Sequence, residues 1–363
     1  MGSDQARVQR PSLLARMLRR PELGALSGVI LIYAIFFAVA GSSGMFTVEG
    51  LVNILHVSAE IGILAVAAAL LMIAGEFDLS IGSMIGFASV VIGLSATVYE
   101  LPLSASMLLA FVLCMGIGAL NGWITVKTGL PSFIVTLASL LILRGLTIAV
   151  TRSINGYTQI SNITKGDPDS LMISLFSGRV GRSFFVWMAN QGWIDTKPNG
   201  LPMIEGLPVS IVWWLGLTAL ATWVLLRTRF GNWVFATGGD ATSARNLGVP
   251  VRRVKIILFV LTAMAAVLFA ATQVLDVGSA DTLRGTQKEF DAIIAVVIGG
   301  TLLTGGYGSA VGALLGALIY GTVQIGILYT GVDSDLFKVF LGLMVLLAVL
   351  FNNYVRRRAT NAR

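Results

Sequence analysis

The chain has almost nothing from which to build a metal centre or a disulfide: one cysteine, Cys114, and one histidine, His56, in 363 residues. A single thiol excludes an intrachain disulfide, and a single imidazole excludes a histidine-clustered metal site. Charge is scarce too, at 12% of residues, where a soluble domain carries roughly 25%. No Gly-x-x-x-x-Gly-Lys-Ser/Thr run is present, so the chain has no P-loop of its own. His-Glu-x-x-His is missing, and so is a strand-borne Gly-x-Ser-x-Gly. No acid–base pair converges in the sequence, so no catalytic residue is assigned.

What is there is apolar. Hydrophobic residues make up 56% of the chain, gathered in runs at roughly 23–40, 60–75, 82–98, 104–122, 133–150, 209–226, 256–275, 289–304, 309–329 and 336–352. Runs of this length cross a bilayer core as helices, and they are continuous where a barrel strand would alternate. The expected fold is an all-α polytopic membrane protein of about ten transmembrane helices, with an internal repeat and both termini cytosolic. Segment 44–58 is too polar to cross and reads as a short interfacial or re-entrant helix. Leu23–Ala40 follows a basic region without a convincing cleavage site and reads as a first span, not a signal peptide.

The net charge of +7 follows topology and carries no nucleic-acid signal. Arg7, Arg10, Arg16, Arg19 and Arg20 precede the first run and Arg356–Arg358 follow the last, where they face the cytosol and anionic membrane lipid. The expected organisation is a cytosolic tail 1–22, a transmembrane domain 23–352 and a basic tail 353–363. The outside loop 151–208 carries Phe184, Phe185, Trp187 and Trp193 among polar residues, which predicts folded or interface-lying structure.

The cytosolic loop 227–255 is the most informative stretch. Gly238-Gly239 is expected to break the backbone, Asp240 to cap a helix over Ala241–Leu247, and Gly248 then Pro250 to end it. A short capped helix held out from a membrane protein is a surface for a partner. Small residues four apart, at Gly82/Gly86, Gly118/Gly122 and Gly308/Gly312/Gly316, predict close helix packing. Gly-Ser-x-x-Gly recurs at 82–86 and 308–312, each time opening a run. Intramembrane charge marks function. Asp78 is expected at a cytosolic turn, capping the next helix; Glu60 at the outer end of the second run; Arg144 snorkelling or paired with Glu60. Glu289 and Asp291 read as a solvated rim.

Three stretches carry a resemblance. They are Gly75-Glu76-Phe77-Asp78-Leu79-Ser80-Ile81-Gly82-Ser83; Asn121-Gly122 with Leu130-Pro131-Ser132-Phe133-Ile134-Val135-Thr136-Leu137 and Arg144-Gly145; and Thr228-Arg229-Phe230-Gly231 through Ala236-Thr237-Gly238-Gly239-Asp240 to Ala244-Arg245-x-x-Gly248-Val249. Over about 45–352 the chain resembles the permease subunit of monosaccharide ABC importers of the ribose, xylose and arabinose type. The resemblance implies a multi-pass protein of the bacterial plasma (inner) membrane. It also implies a second permease copy, an ABC ATP-binding subunit that holds ATP and Mg, and an extracytoplasmic sugar-binding protein. It makes 240–248 the coupling helix: Asp240 as cap, Arg245 as surface contact, Gly248 as stop. Thr242-Ser243-Ala244 stand where many importers have Glu-Ala-Ala, so the acidic contact is absent. Asp78, Asn121 and Arg144 become candidates for shaping the translocation pathway. The alternatives are an ion-coupled secondary transporter, or an ABC permease for a furanosyl signal, nucleoside or branched-chain amino acid.

Overall fold

A computed structural model describes residues 21–361 of the chain; the expected basic segment Arg7–Arg20 lies outside them. The molecule is helical almost throughout. Helices α1 (Pro21–Ala40), α2 (Val48–Ile73), α3 (Ile81–Thr97), α4 (Leu103–Thr128) and α5 (Ser132–Asn155) form the first half. A connecting region then holds β1 (Gln159–Ser161), α6 (Leu171–Ser177), β2 (Arg179–Val180), α7 (Arg182–Asn190) and β3 (Leu207–Pro208). After it come α8 (Val209–Arg227), α9 (Arg229–Gly239), α10 (Ala241–Asn246) and α11 (Val251–Val277). The chain closes with β4 (Ser279–Asp281), α12 (Lys288–Ile298), α13 (Ala310–Thr330), a 3-10 turn at Ser334–Leu336 and α14 (Phe337–Asn361).

Among the described residues, seven helices are long and apolar enough to cross a membrane: Glu22–Ala40 within α1, α2, α4, α5, α8, α11 and α13. Ile81–Thr97 and Phe337–Leu350 are apolar but shorter. The remaining expected run, 289–304, contains only the 11-residue α12 before the glycine-rich stretch 299–309. Hydropathy registers apolar content and is blind to a break in the helix. The burial pattern is layered. In α2 72% of the most apolar window is buried and in α11 67%, against 17% for α1 and 28% for α5. Thus α2, α3, α11 and α13 make the centre, and α1, α4 and α5 turn leucine and isoleucine outward, as helices in lipid do.

Segment 44–58 is not a separate interfacial helix. Thr47 caps α2, its Oγ1 accepting from Gly50 N at 3.3 Å, and the helix runs unbroken for 26 residues. This puts Glu60 at the midpoint of α2 and not at its outer end. The early turns of α2 pack on α13, where a Cβ at Gly321 would meet Ser58 N at 2.8 Å and Ile54 O at 3.0 Å, while Asn53 stays exposed.

The 151–208 region is folded. Strand β2 pairs with β3, Val52 of α2 packs with Phe185 and Ile194, and Phe176 stacks on Trp213 at 5.6 Å. Strand β1 pairs antiparallel with β4, tying this region to the segment just beyond α11.

After β4 the chain turns into the bundle. Ala280 packs at Gly93 of α3, and a Cβ at Gly86 would meet the Thr282 carbonyl oxygen at 2.6 Å. One at Gly82 would meet the Gly285 carbonyl oxygen at 2.6 Å and the Glu289 carboxylate. From Gly93 to Gly82 is about 16 Å along a helix. Residues 279–289 therefore run through the transmembrane body against a glycine groove, with irregular backbone at 282–287 between β4 and α12. The Gly82/Gly86 pair accommodates this backbone, whereas Gly118/Gly122 does pack against a helix, α11 at Phe259 and Ile256.

Candidate functional site

The polar loop is built as capped helices. Thr228 Oγ1 accepts from Gly231 N at 3.2 Å, opening α9. Contrary to expectation, Gly238-Gly239 does not break the backbone; it forms the last turn of α9, and the break falls at Asp240, which is extended at φ −156°. Asp240 caps α10: Oδ1 accepts from Thr242 N at 2.9 Å and Ser243 N at 3.1 Å, and Oδ2 from Ser243 Oγ at 2.8 Å. These bonds, the Ser243 hydroxyl first, hold the carboxyl below its usual range. At the other end Gly248, at φ +84°, donates to Arg245 O at 3.0 Å, and Val249 N donates to Ala244 O at 3.0 Å. That left-handed turn is open to glycine at no steric cost. Only Ala244 of α10 is buried; Thr242, Ser243, Arg245 and Asn246 are exposed, and Leu247 beyond them is 85% exposed. A helix so displayed is made for contact with another molecule.

Its base is anchored by glycine. A Cβ at Gly238 would collide with the Ile73 carbonyl and meet Gly306 N at 2.6 Å, and one at Gly305 would meet Gly75 Cα at 2.8 Å. Gly306 N donates to Ile73 O at 2.8 Å. Three chain turns thus meet backbone to backbone: α2–α3, α9–α10 and α12–α13. No sequence signal separated these glycines from the packing glycines of the spans.

Beside α10 a cleft of about 260 Å³ is lined by Glu76, Pro131, Arg245, Arg252 and Lys255 among others. Lys255 is spent on an ion pair with Glu76. Arg245 and Arg252 form no ion pair among the described residues and give the cleft its positive charge.

Between α2 and α3, residues 76–80 leave the helical path and rise along α5 and α11. Their amides are met by side chains: Phe77 N donates to Ser132 Oγ and Leu79 N to Thr136 Oγ1, both at 3.0 Å. Asp78 is 3% exposed. Its Oδ1 accepts from Ser80 N at 2.9 Å and Ser80 Oγ at 2.6 Å, and its Oδ2 from Thr262 Oγ1 at 2.7 Å. Asn121 Nδ2 donates to Ser80 Oγ at 3.1 Å. Asp78 lies in the α2–α3 turn and accepts from the amide of Ser80, the N-cap residue of α3, but it is buried and not at the surface. It is the centre of a buried network that joins α3, α4 and α11. The structure brings Asp78 and Asn121 together through Ser80, and Ser132 and Thr136, one turn apart on α5, stood in the stretch 130–137 with no role assigned to either.

Arg144 lies elsewhere. It is the thirteenth of 24 residues in α5, its Nε is buried without a partner, and it is within electrostatic reach of Glu289. Glu60 does not pair with it; Glu60 is 3.5 Å from His56 Nε2 and within reach of Arg284. Glu289 is 3% exposed, not part of a solvated rim, because residues 282–289 have carried it inward.

Residues 50–349 match the family model described as branched-chain amino acid transport system / permease component. The ribose import permease protein RbsC of Escherichia coli K12 is 34% identical over 86% of this chain and 88% of its own length. The probable ABC transporter permease protein YphD of the same strain is 32% identical over 94% and 92%. The xylose transport system permease protein XylH, also from that strain, is 29% identical over 91% of each. No solved structure matches the chain. A family match spanning the helical bundle, from α2 to α14, together with relatives aligned along most of their length, identifies the chain as a multi-pass member of the ABC importer permease-component family, a transport subunit and not an enzyme.

Proposed function

We propose that the chain is the membrane-spanning subunit of an ATP-driven importer of a monosaccharide. The observation that carries the reading is α10. It is a capped, exposed helix whose base rests on the two turns α2–α3 and α12–α13. In this reading α10 and both termini face the cytosol, where the arginine-rich ends of the runs belong. An ATP-binding subunit seats on α10 and supplies ATP hydrolysis with its own ATP and Mg. A sugar-binding protein delivers solute at the 151–208 end, and two permease copies enclose the pathway.

The mechanism rests on the contacts. A load on α10 is passed through the Gly238 junction to Ile73 and Gly306, where backbones touch with no side chain between them to yield. The two turns open similar halves: Ser80 and Ser309 stand at the N-caps of α3 and α13, and Ser309 Oγ accepts from Gly312 N at 2.9 Å. Displacing both turns at once rocks the two halves, the motion alternating access requires. Asp78 and Asn121 hold α3 to α4 and α11 and so shape the pathway as a rigid wall. Arg144, half-buried and within electrostatic reach of Glu289, shapes it from α5. The charge of the cleft makes the partner's docking surface acidic, in keeping with the missing acid at Thr242-Ser243.

The name of one relative includes ribose and another xylose; a small neutral sugar is the solute class proposed here. The experiment is reconstitution of the chain with its ATP-binding subunit and binding protein in liposomes. ATP-dependent uptake of ribose or xylose is expected. Asp240→Lys and Gly248→Pro are expected to leave the chain folded, with ATP hydrolysis no longer stimulated by transport. Wild-type uptake in both variants overturns the lever. Uptake without ATP that collapses with a protonophore overturns the importer reading in favour of an ion-coupled carrier.

A further inference from the structure

Residues 282–291 present a problem that lipid does not solve. Arg284 is within electrostatic reach of Glu60, midway along α2, and Glu289 within reach of Arg144, midway along α5, yet 282–287 is irregular backbone. Such backbone is stable at membrane depth only inside protein or against water, and charges there obey the same limit. This surface is nonetheless open in the single chain: Thr286, Gln287 and Lys338 are exposed, and Phe290 is 51% exposed.

Resting on the importer reading, we propose that this face is a wall of the translocation pathway and a binding site for a neutral polyol. Its chemistry is that of hydroxyl recognition. Lys288 Nζ donates to Asp291 Oδ2 at 3.0 Å, Lys338 Nζ to Gln287 Oε1 at 3.0 Å, and Arg284 Nη1 to Gln273 Oε1 at 3.3 Å. Each pair sets a donor beside an acceptor, the arrangement that meets two neighbouring hydroxyls. Phe290 supplies a flat apolar face for the carbon side of a sugar ring. Four cations, Arg144, Arg284, Lys288 and Lys338, stand against four acids, Glu60, Asp281, Glu289 and Asp291. That balance favours a neutral solute over an anion or a cation.

The wall is not locked to the bundle behind it. Thr282 and Glu289 are each 3% exposed, and Thr282 Oγ1 and Glu289 Oε2 have no hydrogen-bond partner, like Arg284 Nε. Gln287 holds a left-handed conformation at φ +67°, a strained choice for a residue with a side chain. The β1–β4 ladder connects the same segment to the 151–208 region, so a molecule bound there bears on the wall.

The native chain is a clean background for a test, because its one cysteine, Cys114, is buried. Thr286→Cys and Gln287→Cys are made in the full chain, with Leu141→Cys, 63% exposed on α5, as the lipid-facing control. A charged, membrane-impermeant methanethiosulfonate is applied to membranes holding the assembled transporter. The first two variants are expected to react at least tenfold faster than the control, and ribose or xylose to slow them several-fold. Reaction with a lipid-soluble maleimide alone, or with neither reagent, overturns the wall. Protection by leucine but not by ribose or xylose overturns the polyol assignment. ATP-driven uptake by the unsubstituted transporter is measured in parallel. Normal uptake without labelling defeats the wall alone; labelling without ATP-driven uptake defeats the importer reading alone.

Discussion

Residues 76–80 and 282–289 solve the same problem in opposite ways. Both carry irregular backbone inside a helical bundle, the second over 282–287, and both bring an acid to a position 3% exposed, Asp78 and Glu289. The first is satisfied throughout: its amides go to Ser132 and Thr136, Asp78 takes three hydrogen bonds, and Glu76 pairs with Lys255. The second leaves Thr282 Oγ1, Arg284 Nε and Glu289 Oε2 unpartnered. A buried polar group without a partner costs about 1–3 kcal/mol. A stretch that retains three of them is held less tightly than one that retains none. The lesson is that 76–80 is bonded as an anchor, whereas 282–289 keeps buried polar atoms that the bundle around it does not bond.

The comparison is broken most readily at the two acids. Asp78→Ala removes three hydrogen bonds of the buried network and strands Thr262 and Ser80, so a loss of about 3 kcal/mol is expected. Glu289→Gln removes a carboxylate with an unmet oxygen and is expected to change thermal unfolding in detergent by under about 1 kcal/mol, while uptake falls severalfold. Equal destabilisation by the two substitutions would erase the distinction.

A smaller effect separates the glycine grooves that receive each partner. Gly86→Val meets the Thr282 carbonyl and Gly118→Val the Phe259 carbonyl, each Cβ at 2.6 Å. Overpacking of either kind costs about 1–3 kcal/mol. The expected difference is functional. Gly118→Val, between two regular helices, lowers the amount of folded protein, and Gly86→Val lowers transport per folded molecule as well. Uptake per folded molecule, normalised by size-exclusion peak area, reads this out.

The smallest expected effect concerns α10, which lies outside both stretches and serves as their control. The Asp240 carboxyl is held below its ordinary 3.8, by the Ser243 hydroxyl first. Its ionised form is favoured in the folded chain, so the cap's contribution is full above that ordinary value and is lost as pH falls through the lower folded value. Hydrogen exchange at the Thr242 and Ser243 amides is expected to keep its protection from neutral pH down to about 4 and lose it below. A loss of protection near pH 6 would mean that another group holds the helix.

Much of the fold was legible because hydropathy and capping are local. Asp240, Gly248 and the helix between them could be read from residue order, since a cap bonds to amides two and three residues away. Seven of the expected runs are long apolar helices for the same reason. Glu60 was misplaced because a polar first turn reads as a helix boundary, although packing against α13 continues α2 through it. Glu289 was misplaced because an apolar run reads as a straight crossing, whereas the chain enters this one from a descending, irregular segment. Arg144 and Glu289 are 145 positions apart, and nothing local links them.

The amino-acid order by itself determined a polytopic helical membrane protein with a displayed, capped helix on a polar loop. Those properties depend on composition over about twenty residues and on bonds between near neighbours. Only the tertiary structure decided which glycines receive a helix and which receive bare backbone. It likewise decided that Gly238 bears on two turns at once, and that one buried acid is fully bonded and another is not. Each of these depends on which distant segments meet, and burial makes their unmet atoms costly, so the packing of the whole bundle sets them.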